Sequence, residues 1–155
     1  MDGLELAKRY KTAIEESLGL LARIENENRV VTFKYPEVGV FFFVIDAKDD
    51  PEYMTLVFPS FADKDLTGGN ASKLLELVNK VNGSNKAVKL SMQDDSNVTA
   101  TIECFLAATG EAPGQALLNS VIKRNVTSIR AAVATLRLAG MEDDANGDSD
   151  AKSSA

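Results

Sequence analysis

Three carboxylates follow the most apolar stretch of the sequence and are of the residue type that binds divalent cations. Asp46, Asp49 and Asp50 come directly after the run Val40–Ile45. Carboxylate oxygens are ligands that Ca²⁺ and Mg²⁺ prefer in proteins. The spacing lacks the glycine of the calcium-binding loop, and Pro51 follows at once. The pattern therefore favours a solvated turn over a cation site.

The other groups that could do chemistry lack the partners they would need. The chain has no histidine, which removes His-based triads, imidazole zinc ligands and the usual proton shuttle. The single cysteine, Cys104, lies on an alternating apolar face, as a small buried hydrophobe does. Asp94 and Asp95 suit a hairpin turn, and Gly68-Gly69 lacks the lysine of a phosphate-binding loop. The sequence predicts a non-enzyme with no catalytic residue, metal or cofactor, and a carboxylate-metal enzyme is the least favoured hypothesis.

The negative charge is concentrated at the end of the chain. Of the net charge of −6, −4 belongs to residues 141–155, which hold five acidic residues and one lysine. The near-neutral remainder offers no basic footprint for nucleic acid. Residues 141–155 are rich in Asp, Ser, Ala and Gly and have little apolar surface to bury. We therefore expect one folded domain, residues 1–140, and a disordered acidic tail, residues 141–155.

The apolar segments are too short for a membrane span. The longest, around Phe41, is far shorter than the roughly 20 residues that cross a bilayer. The first residues have no apolar core of a secretory signal. We expect a cytoplasmic protein without a membrane partner.

Hydrophobic spacing gives the order of the elements that must position any site. Intervals of three and four residues indicate helices, and alternation indicates strands. The pattern predicts a single α+β domain of order α-β-β-β-α-β-β-α, with an antiparallel sheet packed against helices. The predicted helices cover residues 4–24, 70–81 and 113–140, and the strands residues 29–35, 40–46, 53–58, 87–92 and 98–106.

The second strand carries apolar side chains on both faces. Alternation sends Phe41, Phe43 and Ile45 to one face, and Val40, Phe42 and Val44 to the other. Helices would cover one face. The other is either covered by curling of the sheet and loops of the same chain, or meets another chain, because soluble proteins rarely leave a large apolar patch bare. Both alternatives stay open at the level of sequence.

The element order and one segment resemble a known group of bacterial proteins. The segment is KLLELVNKVNGSNKAVKLSMQDDSNVTATIECFLAAT, residues 73–109, in which Asn79 and Asn82 end a helix that leads into a hairpin. It resembles the YbjN-like family, whose fold is similar to that of type III secretion chaperones. The resemblance implies a small homodimer that holds a partly unfolded polypeptide in apolar grooves and performs no chemistry.

These observations lead to one functional prediction and one alternative. The prediction is a non-catalytic, chaperone-like homodimer that binds a polypeptide partner through apolar surface near the sheet and last helix. The alternative is a small-ligand-binding or regulatory domain, linked to stress or motility and without chaperone activity. The residues predicted to bind the partner are Phe41, Phe43, Met54, Leu56, Ile129, Val133 and Leu136.

Overall fold

The computed structural model describes residues 1–153, with the side chains of residues 1–142. It is a single α+β domain in which a six-stranded antiparallel sheet packs against three helices, which confirms the predicted fold class. The helices are α1 (Gly3–Leu18), α2 (Ala71–Ser84) and α3 (Gln115–Ser153). The strands are β1 (Ala22–Glu25), β2 (Val30–Tyr35), β3 (Gly39–Val44), β4 (Tyr53–Ala62), β5 (Lys89–Met92) and β6 (Val98–Phe105). A 3₁₀ turn, Lys64–Thr67, precedes α2.

The first helix is shorter than predicted, and a strand takes its place. Gly19 adopts a left-handed conformation with φ of 67°, and its N–H donates to the carbonyl oxygen of Glu15 at 3.1 Å. Glycine reaches this conformation without steric cost, so α1 ends at Leu18. Ile24, which also fits the helical stripe, lies instead in β1. The predicted order was wrong at this point, and the observed order is α-β-β-β-β-α-β-β-α.

The sheet order is β1-β2-β3-β4-β6-β5, and every neighbouring pair is antiparallel. β5 and β6 form the predicted hairpin, in which Leu90 lies opposite Ala100. Asn70 caps α2 as predicted, since its side-chain oxygen accepts from the N–H of Lys73 at 3.0 Å. These local elements follow directly from the sequence pattern.

The last helix continues past the predicted end at Gly140. Gly140 is buried, and a Cβ atom there would lie 2.5 Å from Leu66 Cγ. The lack of a side chain at Gly140 therefore allows α3 to pack closely against the 3₁₀ turn, and the glycine does not end the helix. Helix α3 extends to Ser153. The predicted disordered tail concerns residues 141–155, whose side chains beyond Glu142 lie outside the described residues, and it stays a prediction.

The helices cover one face of the sheet, which we call the inner face. Every buried strand side chain belongs to this face, and it contains stacked rings. Phe41 lies between Phe33 and Phe58, with centroid distances of 5.3 and 4.4 Å. Tyr10 of α1 meets Phe43 at 5.1 Å. This ladder of aromatic rings joins β2, β3 and β4 to the helical layer.

Asn82 ties α2 to the free edge of β5. Its side-chain amide donates to the carbonyl oxygen of Leu90 at 2.9 Å and accepts from the N–H of Leu90 at 2.8 Å. The side chain therefore replaces the neighbouring strand that β5 lacks. Asn79, the other asparagine of the segment, is exposed. The two asparagines look alike in the sequence and have different roles.

Replacing Asn82 with alanine is expected to lower the free energy of unfolding by about 1–3 kcal/mol. The change removes both hydrogen bonds and leaves the partly buried backbone groups of Leu90 without them. Urea unfolding followed by circular dichroism measures the effect. Asn79→Ala is the matched control and should change stability by less than about 0.5 kcal/mol. Equal effects of the two changes would contradict a bridging role for Asn82.

Candidate protein-binding face

The seven residues predicted to bind a partner all lie in the core. Each is at most 3% exposed, and together they pack α3 against the inner face of the sheet. A partner could reach them only if α3 or α1 left the sheet. In the folded domain they cannot form a binding surface, and the physical reason is alternation: the residues with the strongest apolar spacing are those that the chain's own helices cover. The residues are Phe41, Phe43, Met54, Leu56, Ile129, Val133 and Leu136.

The opposite face of the sheet has no cover among the described residues. No outward side chain on any of the six strands is buried. We call this surface the open face. Its residues are Arg23, Glu25, Val30, Thr32, Lys34, Val40, Phe42, Val44, Tyr53, Thr55, Val57, Lys89, Ser91, Thr99, Thr101, Glu103 and Phe105.

The centre of the open face is apolar. Phe42 on β3 lies opposite Val57 on β4, and both are half-buried. Val40 and Val44, on either side of Phe42, are 49% and 42% exposed. Val30 lies opposite Val44 on β2. Five neighbouring apolar side chains on three adjacent strands therefore form one continuous patch that faces water.

Threonines and charges surround this patch. Thr32 and Thr101 flank the row of Phe42 and Val57, and Thr55 lies beside Val44. Their methyl groups extend the apolar surface, and their hydroxyl groups keep it hydrated. An apolar centre with a polar rim is the composition of a protein-protein interface.

An aromatic pair closes one end of the open face. The rings of Tyr53 and Phe105 are 5.0 Å apart, and Phe105 is 73% exposed. The Tyr53 hydroxyl group donates to Glu103 Oε2 at 3.2 Å, and Lys89 Nζ lies 3.6 Å from the same oxygen. Loss of water contact, and then the charge of Glu103, raise the pKa of Tyr53. The phenol therefore stays a hydrogen-bond donor at neutral pH.

A groove of about 570 Å³ adjoins the open face at β1. Its lining combines apolar Leu21 and Val40 with Arg23, Glu25 and Lys34. Leu21 is 86% exposed, the largest exposed fraction among the large hydrophobic side chains in residues 1–142. The groove thus continues the apolar patch toward the edge of the sheet.

The carboxylates singled out from the sequence form turns. The Asp46 carboxylate accepts from the N–H of Asp49 at 3.0 Å, in the loop between β3 and β4. The Asp95 carboxylate accepts from the N–H of Asn97 at 3.2 Å, in the β5–β6 hairpin. Desolvation, followed by the charges of Glu52 and Asp46, raises the pKa of Asp50. Within residues 1–142, no three His, Cys, Asp or Glu side chains are grouped so as to hold a metal ion.

Cys104 lies on the inner face beside polar groups of the helical layer. Burial raises the pKa of its thiol, and a hydrogen bond with Asn125 acts in the opposite direction. Asn125 Nδ2 also approaches the Met54 sulfur at 3.9 Å. Burial, with a smaller contribution from Cys104, raises the pKa of Tyr10. Both groups are therefore neutral at pH 7 and belong to the packing of α1 and α3 on the sheet.

The burial of Tyr10 predicts a loss of stability at alkaline pH. Because its folded-state pKa lies above the ordinary value of 10.0, its contribution is complete below that pH and is lost as the pH rises above it. The free energy of unfolding should fall by about 1.4 kcal/mol per pH unit above pH 10 from this group. Tyr10→Phe should remove that part of the slope in urea unfolding series. An unchanged slope would mean that the phenol ionises freely in the folded protein.

The exposed apolar residues of the open face were not predicted to bind the partner. On β3 they alternate with the buried residues that were, Phe41 and Phe43. Val40, Phe42 and Val44 lie on the face for which the sequence leaves contact with another chain open, but they are not among the residues predicted to bind the partner. The signal was the unbroken apolar run, because a strand with one wet face alternates apolar and polar residues. The helical layer lies on only one side, and this alone decides which half of the run is exposed.

No helix within the described part of the chain is both long and apolar enough to cross a membrane.

Comparison with known proteins supports the fold without adding a function. No family model matches the chain, and no curated protein does. An uncharacterised protein from Methanothermobacter thermautotrophicus, solved as a crystal structure, is similar in fold, with a TM-score of 0.57 and 18% sequence identity. The match covers 91% of this chain and 98% of that protein. At this identity the similarity extends to the fold alone.

Proposed function

We propose that the protein is a non-catalytic, chaperone-like binding protein, and that its open face holds a polypeptide partner. The observation that carries the proposal is the continuous apolar patch at the centre of the uncovered sheet. Side chains of this size normally lie in the core, and contiguous exposed patches on soluble domains mark interaction sites. The YbjN-like resemblance implies the same class of function, and the homodimer that it implies is part of the proposal.

The shape and chemistry of the open face suit a polypeptide. The apolar patch crosses three adjacent strands, and threonine hydroxyl groups and charged side chains at the rim can bind backbone groups of a partner. Fully burying one side chain such as Phe42 or Val44 is worth roughly 1.5–3 kcal/mol, so a few together give useful affinity. An unfolded segment, which exposes apolar side chains along its length, matches this surface best.

Binding to a permanently unfolded protein tests the proposal. A fluorescently labelled, reduced and carboxymethylated protein serves as the probe, and fluorescence anisotropy gives the dissociation constant. Phe42→Glu and Val44→Glu should each weaken binding by at least about tenfold, because each places a charge in the apolar patch. Both positions face water, so the domain should still fold, which circular dichroism checks.

The matched control is Leu117→Glu on α3. Leu117 is 41% exposed, close to the 42% of Val44, but it lies in the helical layer. The control should bind the probe within about twofold of the wild-type protein. The proposal fails if the wild-type protein does not bind, or if the open-face variants bind as well as the control.

A second candidate, binding of a small ligand, is favoured by the groove at β1. Its volume of about 570 Å³ is within the range of small-molecule sites, and it combines apolar and charged side chains. Screening a fragment mixture by NMR would support this candidate if the shifted signals were confined to Leu21, Arg23 and Val40.

A further inference from the structure

The two edges of the sheet differ in how their outward backbone groups are bonded. In an antiparallel sheet, the N–H and C=O groups of successive residues point to opposite neighbouring strands. The N–H of Ile45 donates to the carbonyl oxygen of Arg29 at 2.8 Å, which fixes this alternation across β2 and β3. It follows that Val30 and Thr32 bond toward β1, and that their partners Glu25 and Arg23 bond toward β2. Ile24 therefore points its backbone groups away from the sheet.

At the other edge a side chain bonds the outward groups of one residue, Leu90. On β5 the N–H of Gln93 donates to the carbonyl oxygen of Asn97 at 2.7 Å, so Leu90 is an outward residue there. Asn82 bonds both of its backbone groups. In the described part of the chain, no residue forms a hydrogen bond with the outward N–H or C=O group of Ile24. Asn82 therefore obstructs strand addition at the middle of β5, whereas the β1 edge is open to another strand.

We propose that β1 pairs with β1 of a second copy of this chain, antiparallel and about a twofold axis at Ile24. Ile24 of each copy then exchanges two backbone hydrogen bonds with Ile24 of the other. Arg23 of one copy lies opposite Glu25 of the second copy, and Glu25 opposite Arg23. These are the closely spaced, non-hydrogen-bonded pairs of the ladder, in which side chains are nearest. The edge sequence Arg-Ile-Glu is thus complementary to itself.

Charge selects this register over its neighbours. An axis at Arg23 would place two arginines side by side, and an axis at Glu25 would do the same with two glutamates. Backbone direction alone would allow either axis, since outward residues beside it could form the hydrogen bonds. Among residues 1–142, neither Arg23 nor Glu25 forms an ion pair within its own chain. Both charges are therefore free for the second copy.

The pairing joins two six-stranded sheets into one continuous sheet. The open faces of the two copies then lie side by side, and the groove at Leu21 borders the junction. This inference rests on the homodimer of the proposed function and says how that dimer forms, whereas partner binding by the open face can succeed or fail without it. A four-residue strand gives few contacts, and the ion pairs are exposed, so we expect a weak, salt-sensitive dimer.

Charge reversal and its double swap test the pairing by sedimentation equilibrium at low salt. Arg23→Glu and Glu25→Arg should each raise the dimer dissociation constant by at least about tenfold, because each creates two like-charge pairs. The double variant R23E/E25R restores opposite charges at both places and should return to within about threefold of the wild-type value. Raising the salt concentration should weaken the wild-type dimer and strengthen the dimers of the single variants, because salt screens both the attraction and the like-charge repulsion.

Lys34→Glu is the control, since it reverses a charge on the same face but on β2. It should dimerise as the wild-type protein does. The inference is overturned if the wild-type chain is a monomer up to about 1 mM, which would leave the edge to a different strand or to water. It is equally overturned if Arg23→Glu dimerises normally, or if the folded double variant does not recover. Binding of the unfolded probe by monomeric Arg23→Glu would show that face and edge act separately.

Discussion

Phe43→Ala is expected to lower the free energy of unfolding by about 3–5 kcal/mol. Phe43 is 0% exposed and packs against Tyr10 at 5.1 Å and Phe33 at 6.1 Å. Truncation removes these contacts and leaves a cavity that the surrounding strands and α1 can fill only in part. Urea unfolding followed by far-ultraviolet circular dichroism gives the change directly.

The adjacent Phe42 is the control for that prediction. It has the same side chain on the same strand, but it is half-buried on the open face. Phe42→Ala should cost less than about 1.5 kcal/mol in the monomer, because the removed side chain leaves no enclosed cavity. Similar losses for Phe42 and Phe43 would contradict the assignment of one covered and one open face.

Gly39→Ala should lower the free energy of unfolding by about 2–4 kcal/mol. Gly39 begins β3 with φ of 143°, a conformation that residues with a side chain rarely adopt. A Cβ atom there would also lie 2.8 Å from Phe58 Cε2, and Phe58 is stacked on Phe41 at 4.4 Å. Relief of the clash would displace a ring of the aromatic ladder. Thermal unfolding and urea unfolding both measure the loss.

Gly83→Ala separates this effect from a general cost of replacing glycine. Gly83 lies in α2, and a Cβ atom there meets no atom within 4 Å. The change should be neutral or stabilise the protein by up to about 1 kcal/mol, because alanine favours the helix. A stable Gly39→Ala variant would show that the β2–β3 hairpin can rearrange without disturbing Phe58.

Partner binding by the open face and dimerisation through the β1 edge depend on different residues. Phe42→Glu should abolish capture of the unfolded probe and leave the dimer intact, since Phe42 lies two strands from the β1 edge. Arg23→Glu should do the reverse. The two variants together therefore distinguish a surface for an unfolded partner from a surface for a second copy.

The sequence by itself determined the local elements with strong signals. Asn70 as the helix cap, the alternation around Leu90 and Ile102, and the hairpin between β5 and β6 all follow from short-range spacing and turn chemistry. Alternation also places Phe41 and Phe43 on the same face of β3, but it does not say which face the helices cover. Short-range patterns predict these elements correctly because caps, alternation and turns depend on residues that are close in the sequence.

Tertiary structure decided where the first helix ends and which face is open. Leu21 and Ile24 fit a helical stripe and a strand equally well. Only the left-handed turn at Gly19 and the pairing with β2 place Ile24 in β1 and Leu21 in the segment that leads into it. The binding surface was placed on core residues because spacing identifies apolar side chains but not what covers them. Cover is a long-range property: all three helices pack on one side, so one half of an apolar strand is buried and the other half meets water.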